Sequence, residues 1–115
     1  LFDSLAHPDL LKKFGCRPAG DITALYRETV AAIAAAGVCV EVSTAGLRAP
    51  VGEIYPHPDF LRLCRDYGVP VTLGSDAHAP EQVGDRFYEA VALLKQVGYR
   101  EVTTFRRRRR IPFPI

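Results

Sequence analysis

Hydrophobic positions along this chain follow two alternating spacings, one typical of strands and one typical of helices. In residues 38–43, valines alternate with other residues, a period of two that places alternate side chains on opposite faces of a strand. From Asp21 to Gly37, apolar residues recur at helical spacing. Asp21 suits the N-cap of a helix and Gly37 suits its end, so this segment predicts a helix.

The same two spacings repeat along the rest of the chain. A second helix is predicted from Pro58, which suits a first helical position, to Gly68, and a third from about Asp85 to Gly98. Further strands are predicted at 1–7, 69–73 and 102–105. About four parallel strands alternating with three helices predict an α/β fold, either part of a barrel or a small open sheet.

Length and composition limit what the chain can be. With 115 residues, 48% of them hydrophobic and 24% charged, the sequence is typical of one small globular domain. It contains no run of about 18 apolar residues and no amino-terminal signal segment, so we expect a cytoplasmic protein without a membrane span. Cys16, Cys39 and Cys64 form no C-x-x-C pair and are expected to be reduced, buried thiols.

Positive charge is concentrated near the carboxyl terminus. The formal net charge is only +2, but residues 106–110 are five consecutive arginines. Such a run can bind nucleic acid by releasing counterions, yet without it the chain would be acidic overall, so no broad basic face lies behind it. We therefore predict a partial barrel domain at 1–105, a solvated basic tail or barrel-rim segment at 106–115, and no nucleic-acid partner.

A carboxylate and an imidazole stand two residues apart after the third predicted strand. Asp76 and His78 lie in the small-residue turn that follows residues 69–73, and His7 ends the first predicted strand. The carboxyl ends of parallel strands meet at one rim. Two imidazoles and one carboxylate there suit Zn²⁺, Mn²⁺ or Fe²⁺ better than Ca²⁺. The alternatives are a capped turn at Asp76 and a helix-capping or core-rim histidine at His7.

Further polar residues are predicted at the same rim. Arg48 follows the second of the four predicted strands, and Lys12 follows His7 by five residues. Cations beside a metal suit a phosphate or another oxyanion, because they offset the charge on its oxygens. Glu41 and Ser43 are expected on the inner face of their strand, where polar or small residues leave room for an ion and a substrate.

Several neighbouring residues have more than one interpretation. His57 is predicted to cap the second helix rather than to bind metal. Glu53 and Tyr55 either orient Arg48, contact a substrate, or belong to the surface of a long loop. For Lys12 and Lys13 the alternative is the exposed face of a helix.

Four stretches of the sequence match one known family. They are residues 6–14, 40–48, 53–56 and 71–78, with weaker support around 83–84 and 105–106. The stretches Glu-Val-Ser-Thr-Ala-Gly-Leu-Arg, Glu-Ile-Tyr-Pro and Gly-Ser-Asp-Ala-His resemble the carboxyl-terminal part of the PHP (polymerase and histidinol phosphatase) superfamily. The first two point to its histidinol-phosphate phosphatases, and the resemblance covers nearly all of the chain.

The resemblance implies the carboxyl-terminal part of a distorted (β/α)7 TIM-like barrel that holds up to three divalent metals, Zn, Mn or Fe, at its strand ends. It implies hydrolysis of a phosphate monoester, L-histidinol phosphate, to L-histidinol and phosphate in histidine biosynthesis. The implied metal ligands are His7, Asp76 and His78, of which the last two would be catalytic. The implied substrate- or phosphate-binding residues are Arg48, Lys12, Glu41 and Ser43.

The histidine-rich amino-terminal motifs of that family do not occur in these 115 residues. Those motifs supply most of the family's metal ligands, so we expect the full cluster to need a complementary amino-terminal segment or an oligomer. Two alternatives stay open. One is a PHP-type phosphoesterase acting on nucleotides or nucleic-acid ends, and the other is a catalytically silent subunit that needs a complementary chain.

Overall fold

Helices alternate with parallel strands in the computed structural model, which describes residues 1–115. The helices are α1 (Thr23–Ala36), α2 (Pro58–Asp66) and α3 (Phe87–Val97). The strands are β1 (Ser4–Leu5), β2 (Cys39–Ser43), β3 (Val71–Gly74), β4 (Glu101–Arg106) and β5 (Arg109–Pro114). Short 3₁₀ segments lie at Leu10–Phe14, Thr44–Arg48 and Pro80–Gln82. The predicted α/β class and all three predicted helices are confirmed.

The parallel sheet has the order β1-β2-β3, so β2 is its central strand. Ser4 of β1 pairs with Cys39 of β2, and Ser43 at the end of β2 pairs with Gly74 at the end of β3. The carboxyl ends of these strands therefore lie along one edge of the sheet. In parallel α/β proteins this edge carries the functional loops.

The valine face of β2 packs against the helices, as its alternation predicts. Val40 and Val42 are fully buried in one apolar cluster. The cluster's members from the helices include Val30, Ile33, Phe60, Leu61, Ala90 and Leu94. Burying one valine or leucine side chain stabilises a fold by about 1.5–3 kcal/mol. The side chains on the other face of β2, which include Glu41, therefore point away from the helices.

Helix ends lie at or next to the capping signals in the sequence, with Ile22 rather than the predicted Asp21 at the N-cap of α1. Asp21 Oδ1 accepts a hydrogen bond from the Thr23 amide at 2.8 Å, and Gly37 ends α1 in the left-handed conformation. His57 Nδ1 accepts a hydrogen bond from the Asp59 amide at 3.2 Å, directly before Pro58 opens α2. The predicted capping role of His57 is therefore confirmed.

The prediction of four parallel strands and a basic tail is wrong at the carboxyl terminus. Strand β4 pairs with β5 in an antiparallel hairpin, with Val102 opposite Phe113 and Arg106 opposite Arg109. Residues 106–115 thus form the turn and second strand of this hairpin. The physical reason is that the backbone groups of residues 109–114 form hydrogen bonds with β4. The charged side chains of the arginine run had indicated a solvated tail.

The residues in the turn explain why the hairpin was not predicted from the sequence. Arg107 and Arg108 connect β4 to β5, and both have positive φ angles, 50° and 64°. Two-residue hairpin turns of this kind favour Asn-Gly, which tolerates positive φ, so a pair of arginines gives no turn signal. Arg108 is tied to Asp3 at 2.9 Å, and Arg110 donates to the Gly37 carbonyl oxygen. These contacts hold the hairpin against the start of β1 and the end of α1.

Two further expectations have different outcomes. Cys39 and Cys64 are buried free thiols, as expected, and burial raises the pKa of Cys39 to about 11 and that of Cys64 to about 12. Cys16 is exposed, which corrects the expectation that all three are buried. None of the helices is both long and apolar enough to cross a membrane.

Candidate functional site

The turn after β3 places Asp76 and His78 together at the functional edge of the sheet. Asp76 has a left-handed φ of 46°, and its carbonyl oxygen lies 2.8 Å from His78 Nδ1. A carbonyl can only accept, so Nδ1 donates in this contact, and in the neutral imidazole Nε2 then carries the lone pair. Metal-binding histidines are commonly oriented in this way by a hydrogen bond to the other ring nitrogen.

Arg48 holds the same turn from the loop after β2. Its Nη2 donates to the carbonyl oxygen of Ser75 and, at 3.4 Å, to that of Asp76. Its Nη1 lies 3.2 Å from Asp85 Oδ2. Arg48 thus joins the loop after β2 to the turn after β3, and much of its hydrogen-bonding capacity is used within the protein.

A pocket of about 230 Å³ opens beside this turn. Its polar lining comes from Lys13, Arg48, Tyr55, Asp76 and His78, and its other lining residues are Leu10, Ala45, Ala49 and Pro50. Tyr55 is only 1% exposed, and its hydroxyl has no hydrogen-bond partner in the protein. Burial, and secondly the charges of Asp9 and Asp76, raise the pKa of Tyr55, so its hydroxyl stays protonated at neutral pH.

His7 lies apart from Asp76 and His78. The His7 amide donates to Glu41 Oε2 at 2.9 Å, and His7 does not line the pocket beside the turn. Strand β2 stands between β1 and β3, so the ends of β1 and β3 are two strand spacings apart, roughly 10 Å. The structure therefore brings Asp76, His78 and Arg48 together but does not bring His7 to them.

Glu41 and Ser43 shape the functional edge of the sheet through local contacts. The Glu41 carboxylate lies against Gly74, where a Cβ atom would stand 1.9 Å from Glu41 Oε1. Ser43 is fully buried, and its Oγ accepts from the Ala45 amide at 3.3 Å, which caps the 3₁₀ segment carrying Arg48. The substrate-binding roles predicted for Glu41 and Ser43 stay predictions.

Lys12 is buried in a charge network next to the pocket. Its Nζ lies 3.0 Å from Asp9 Oδ2 and 3.2 Å from Glu53 Oε2, and Glu53 is also bound by Arg17. The Lys12 ammonium stands 5.7 Å from the centre of the Tyr55 ring. Lys12 does not line the pocket of Asp76 and His78, and two carboxylates already neutralise its charge.

Two comparisons show which known proteins this chain resembles. The family described as "PHP-associated" matches residues 60–89, which run from α2 through the Asp76–His78 turn to the start of α3. A "Probable histidinol-phosphatase" of Deinococcus radiodurans is 46% identical over 112 residues, which are 97% of this chain and 42% of that protein. The two matches together support a PHP-family, histidinol-phosphatase-like carboxyl-terminal part. The chain spans less than half of the length of this relative.

PHP phosphatases are generally metal-dependent, so the donor set of this chain can be tested against a metal ion. Asp76 and His78 have suitable donor chemistry, and the His78 ring is oriented with its Nε2 lone pair free. No group of three or more histidine, cysteine, aspartate or glutamate side chains is close enough together to hold an ion. The residues of this chain therefore do not form a complete metal site by themselves.

Two contributors to this site, Asp85 and Ser75, were not predicted from the sequence. Asp85 balances the charge of Arg48, a role that had been considered for Glu53. Ser75 accepts from Arg48 through its carbonyl oxygen, and its Oγ accepts from the Gly84 amide at 3.1 Å. Lys13, which the sequence analysis weighed together with Lys12, is exposed and lines the pocket. The available signal for Ser75 was its position directly before Asp76, whereas nothing marked Asp85.

Acid is expected to weaken the charge network around Glu53. The hydrogen bond from Arg17 first, and Lys12 second, lower the pKa of Glu53 to about 2 from an ordinary value of 4.5. Because the folded-state pKa is depressed, Glu53 stabilises the fold above pH 4.5, and this contribution is lost as the pH falls towards 2.

Urea denaturation of the native chain and of Glu53→Gln tests this expectation. The native chain should be more stable than the variant near neutral pH, and the difference should shrink steadily below pH 4.5. A difference that stays constant down to the acid end of the titration would show that the Glu53 carboxylate does not contribute through its charge.

Proposed function

We propose that this chain supplies the carboxyl-terminal part of a metal-dependent histidinol-phosphate phosphatase. The reaction is hydrolysis of L-histidinol phosphate to L-histidinol and phosphate, a step of histidine biosynthesis. The observation that carries the proposal is the Asp76–His78 turn, held by Arg48 beside a pocket, in a chain 46% identical to a probable histidinol-phosphatase.

The pocket has the chemistry that a small phosphate ester needs. Lys13 and Arg48 place positive charge at its wall, which offsets the charge on phosphoryl oxygens. Asp76 and His78 present a carboxylate and an imidazole lone pair to the same space. Asp85 and the carbonyl oxygens of the turn fix the Arg48 guanidinium, so the wall of the pocket is organised before a ligand enters.

Asp76 and His78 are proposed as catalytic metal ligands, for Zn²⁺, Mn²⁺ or Fe²⁺. The remaining donors of such a centre come from outside these 115 residues, since no third histidine, cysteine, aspartate or glutamate side chain joins the two. A complementary amino-terminal PHP segment or a second copy of the chain would supply them. His7 is retained as a proposed ligand only for an assembly that brings its side chain to Asp76 and His78, in the turn after β3.

The fold proposal is the last part of a distorted (β/α)7 barrel. Three parallel strands with helices packed on the valine face of β2 support it, because barrel sheets are covered by helices on their outer side. In that arrangement the Glu41 side of β2 faces the barrel interior and the functional edge forms its rim. We place the reaction in the cytoplasm as part of the same proposal.

A subunit that is silent alone is the second candidate function. It is favoured by the absence of any three-donor group in the 115 residues. Phosphoesterase action on nucleic-acid ends gains less support, because Arg108 and Arg110 of the basic hairpin are held by Asp3 and by the Gly37 carbonyl oxygen.

Hydrolysis assays separate these candidates. The chain is tested alone and after mixing with the separately produced part of the Deinococcus radiodurans relative that it does not span. Release of phosphate from L-histidinol phosphate is compared with release from a nucleoside monophosphate and a 3′-phosphorylated oligonucleotide, with Zn²⁺ or Mn²⁺ present. We expect turnover of L-histidinol phosphate only by the mixture. Preferential turnover of either nucleotide substrate would contradict the proposed substrate, and full turnover by the chain alone would contradict the need for a complement.

A further inference from the structure

Two adjacent lysines have opposite environments. Lys12 is 5% exposed and its ammonium lies between the carboxylates of Asp9 and Glu53. Lys13 is exposed, forms no salt bridge, and lines the pocket of Asp76 and His78. The only close partner of its ammonium is the ring of Phe14, with 5.7 Å between Nζ and the ring centre. Of the two lysines, only Lys13 offers an unneutralised charge to a ligand in the pocket.

The charges around the pocket point to the same residue. Arg48 also lines it, but its guanidinium is paired with Asp85 and donates to the carbonyl oxygens of Ser75 and Asp76. These contacts engage both terminal nitrogens of Arg48, so only part of its five N–H donors remains for an incoming anion. The ammonium of Lys13 keeps all three of its donors.

Tyr55 provides a second, independent observation. It lines the same pocket, it is 1% exposed, and its hydroxyl has no partner. Leaving a buried hydroxyl without a hydrogen bond destabilises a fold, so an unpaired donor at a pocket wall indicates a ligand atom that accepts from it.

We propose that Lys13 and the Tyr55 hydroxyl bind the phosphate group of the substrate in this pocket, next to Asp76 and His78. The inference rests on the proposed function, and it moves the phosphate-binding role from Lys12 to Lys13. Lys12 acts as a positioning residue instead. Its salt bridge with Glu53 connects the 3₁₀ segment Leu10–Phe14 to residue 53, and its ammonium lies 5.7 Å from the centre of the Tyr55 ring.

Phosphate titration of the 115-residue chain tests the proposal directly. The chain has three lysines, Lys12, Lys13 and Lys95. Reductive methylation with ¹³C-formaldehyde gives each accessible lysine its own NMR signal and keeps its charge. With inorganic phosphate as the probe, we expect the Lys13 signal to shift saturably and the Lys95 signal, from the far end of α3, to stay in place. Equal shifts at Lys13 and Lys95, or no saturable shift, would overturn the proposal.

Substitutions give a second readout. Lys13→Gln and Tyr55→Phe are each expected to raise the dissociation constant for phosphate about tenfold or more, because each substitution removes a hydrogen bond to a charged group. Lys95→Gln is the matched control and should leave it unchanged. An unchanged dissociation constant in Lys13→Gln, an exposed substitution that leaves the fold intact, would overturn the assignment.

The outcomes also separate this inference from the proposed function. If phosphate binding depends on Lys13 but the mixed protein does not hydrolyse L-histidinol phosphate, the proposed substrate is wrong and the anion site is supported. If the mixed protein hydrolyses L-histidinol phosphate with the same KM for Lys13→Gln as for the native chain, the proposed function is supported and the anion site is wrong.

Discussion

Gly46→Ala is expected to destabilise the protein by about 3 kcal/mol, because no space exists for a methyl group at this position. A Cβ atom on Gly46 would stand 1.8 Å from the Glu53 backbone carbonyl oxygen and 2.9 Å from Tyr55 Cζ. The first neighbour is backbone and cannot rotate away, so the segment Thr44–Arg48 would have to move. Urea denaturation followed by circular dichroism measures the loss.

Gly20→Ala is the matched control for this substitution. A Cβ atom on Gly20 meets nothing within 4 Å, and its φ lies in the ordinary region, so its stability should change by less than about 1 kcal/mol. If both alanine variants unfold at the same urea concentration as the native chain, the close approach of the Arg48 loop to residues 53–55 is wrong. That result would also remove the basis for placing Tyr55 in the pocket wall.

Asp76→Asn is expected to lower hydrolysis of L-histidinol phosphate at least about 100-fold in the mixed protein. Substituting even an outer partner of a metal ligand typically costs 10–100-fold, and Asp76 is proposed to bind the metal itself. Asparagine is the appropriate replacement because Asp76 has a left-handed φ of 46°, which asparagine tolerates. The charge is therefore removed while the backbone of the turn is kept.

Asp59→Asn serves as the control for the loss of one carboxylate. Asp59 is exposed at the start of α2, pairs with Arg62 on the same helix, and does not line the pocket of Asp76 and His78. Initial rates of phosphate release should be the same as for the native mixture in this variant. A comparable loss in both variants would show that net charge, rather than a specific ligand, controls the rate.

Local patterns were sufficient to predict most of the fold. The helix α1 carries its own N-cap signal, apolar spacing and terminal glycine, and β2 carries an alternation that assigns each face. The hairpin of β4 and β5 was missed because its turn consists of Arg107 and Arg108, which give no turn signal. Contacts with Asp3 and Gly37, far away in sequence, hold it against the start of β1 and the end of α1.

The candidate site was predictable in part, for a similar reason. Asp76 and His78 lie two residues apart, so their proximity was visible in the sequence. The separation of His7 from them follows from the strand order β1-β2-β3, which no local pattern encodes. The different environments of Lys12 and Lys13 arise from Asp9 and Glu53, and only the folded chain shows that these carboxylates enclose one ammonium and not its neighbour.

The most direct test of the central claim is the metal content of the mixed protein. The claim is that Asp76 and His78 complete a metal centre whose other ligands lie outside this chain. Metal analysis after equilibration with Zn²⁺ or Mn²⁺ and removal of free ions should show stoichiometric metal in the mixture, and a substantial loss in Asp76→Asn but not in Asp59→Asn. Metal content that is the same in the mixture with Asp76→Asn as with the native chain would contradict the claim.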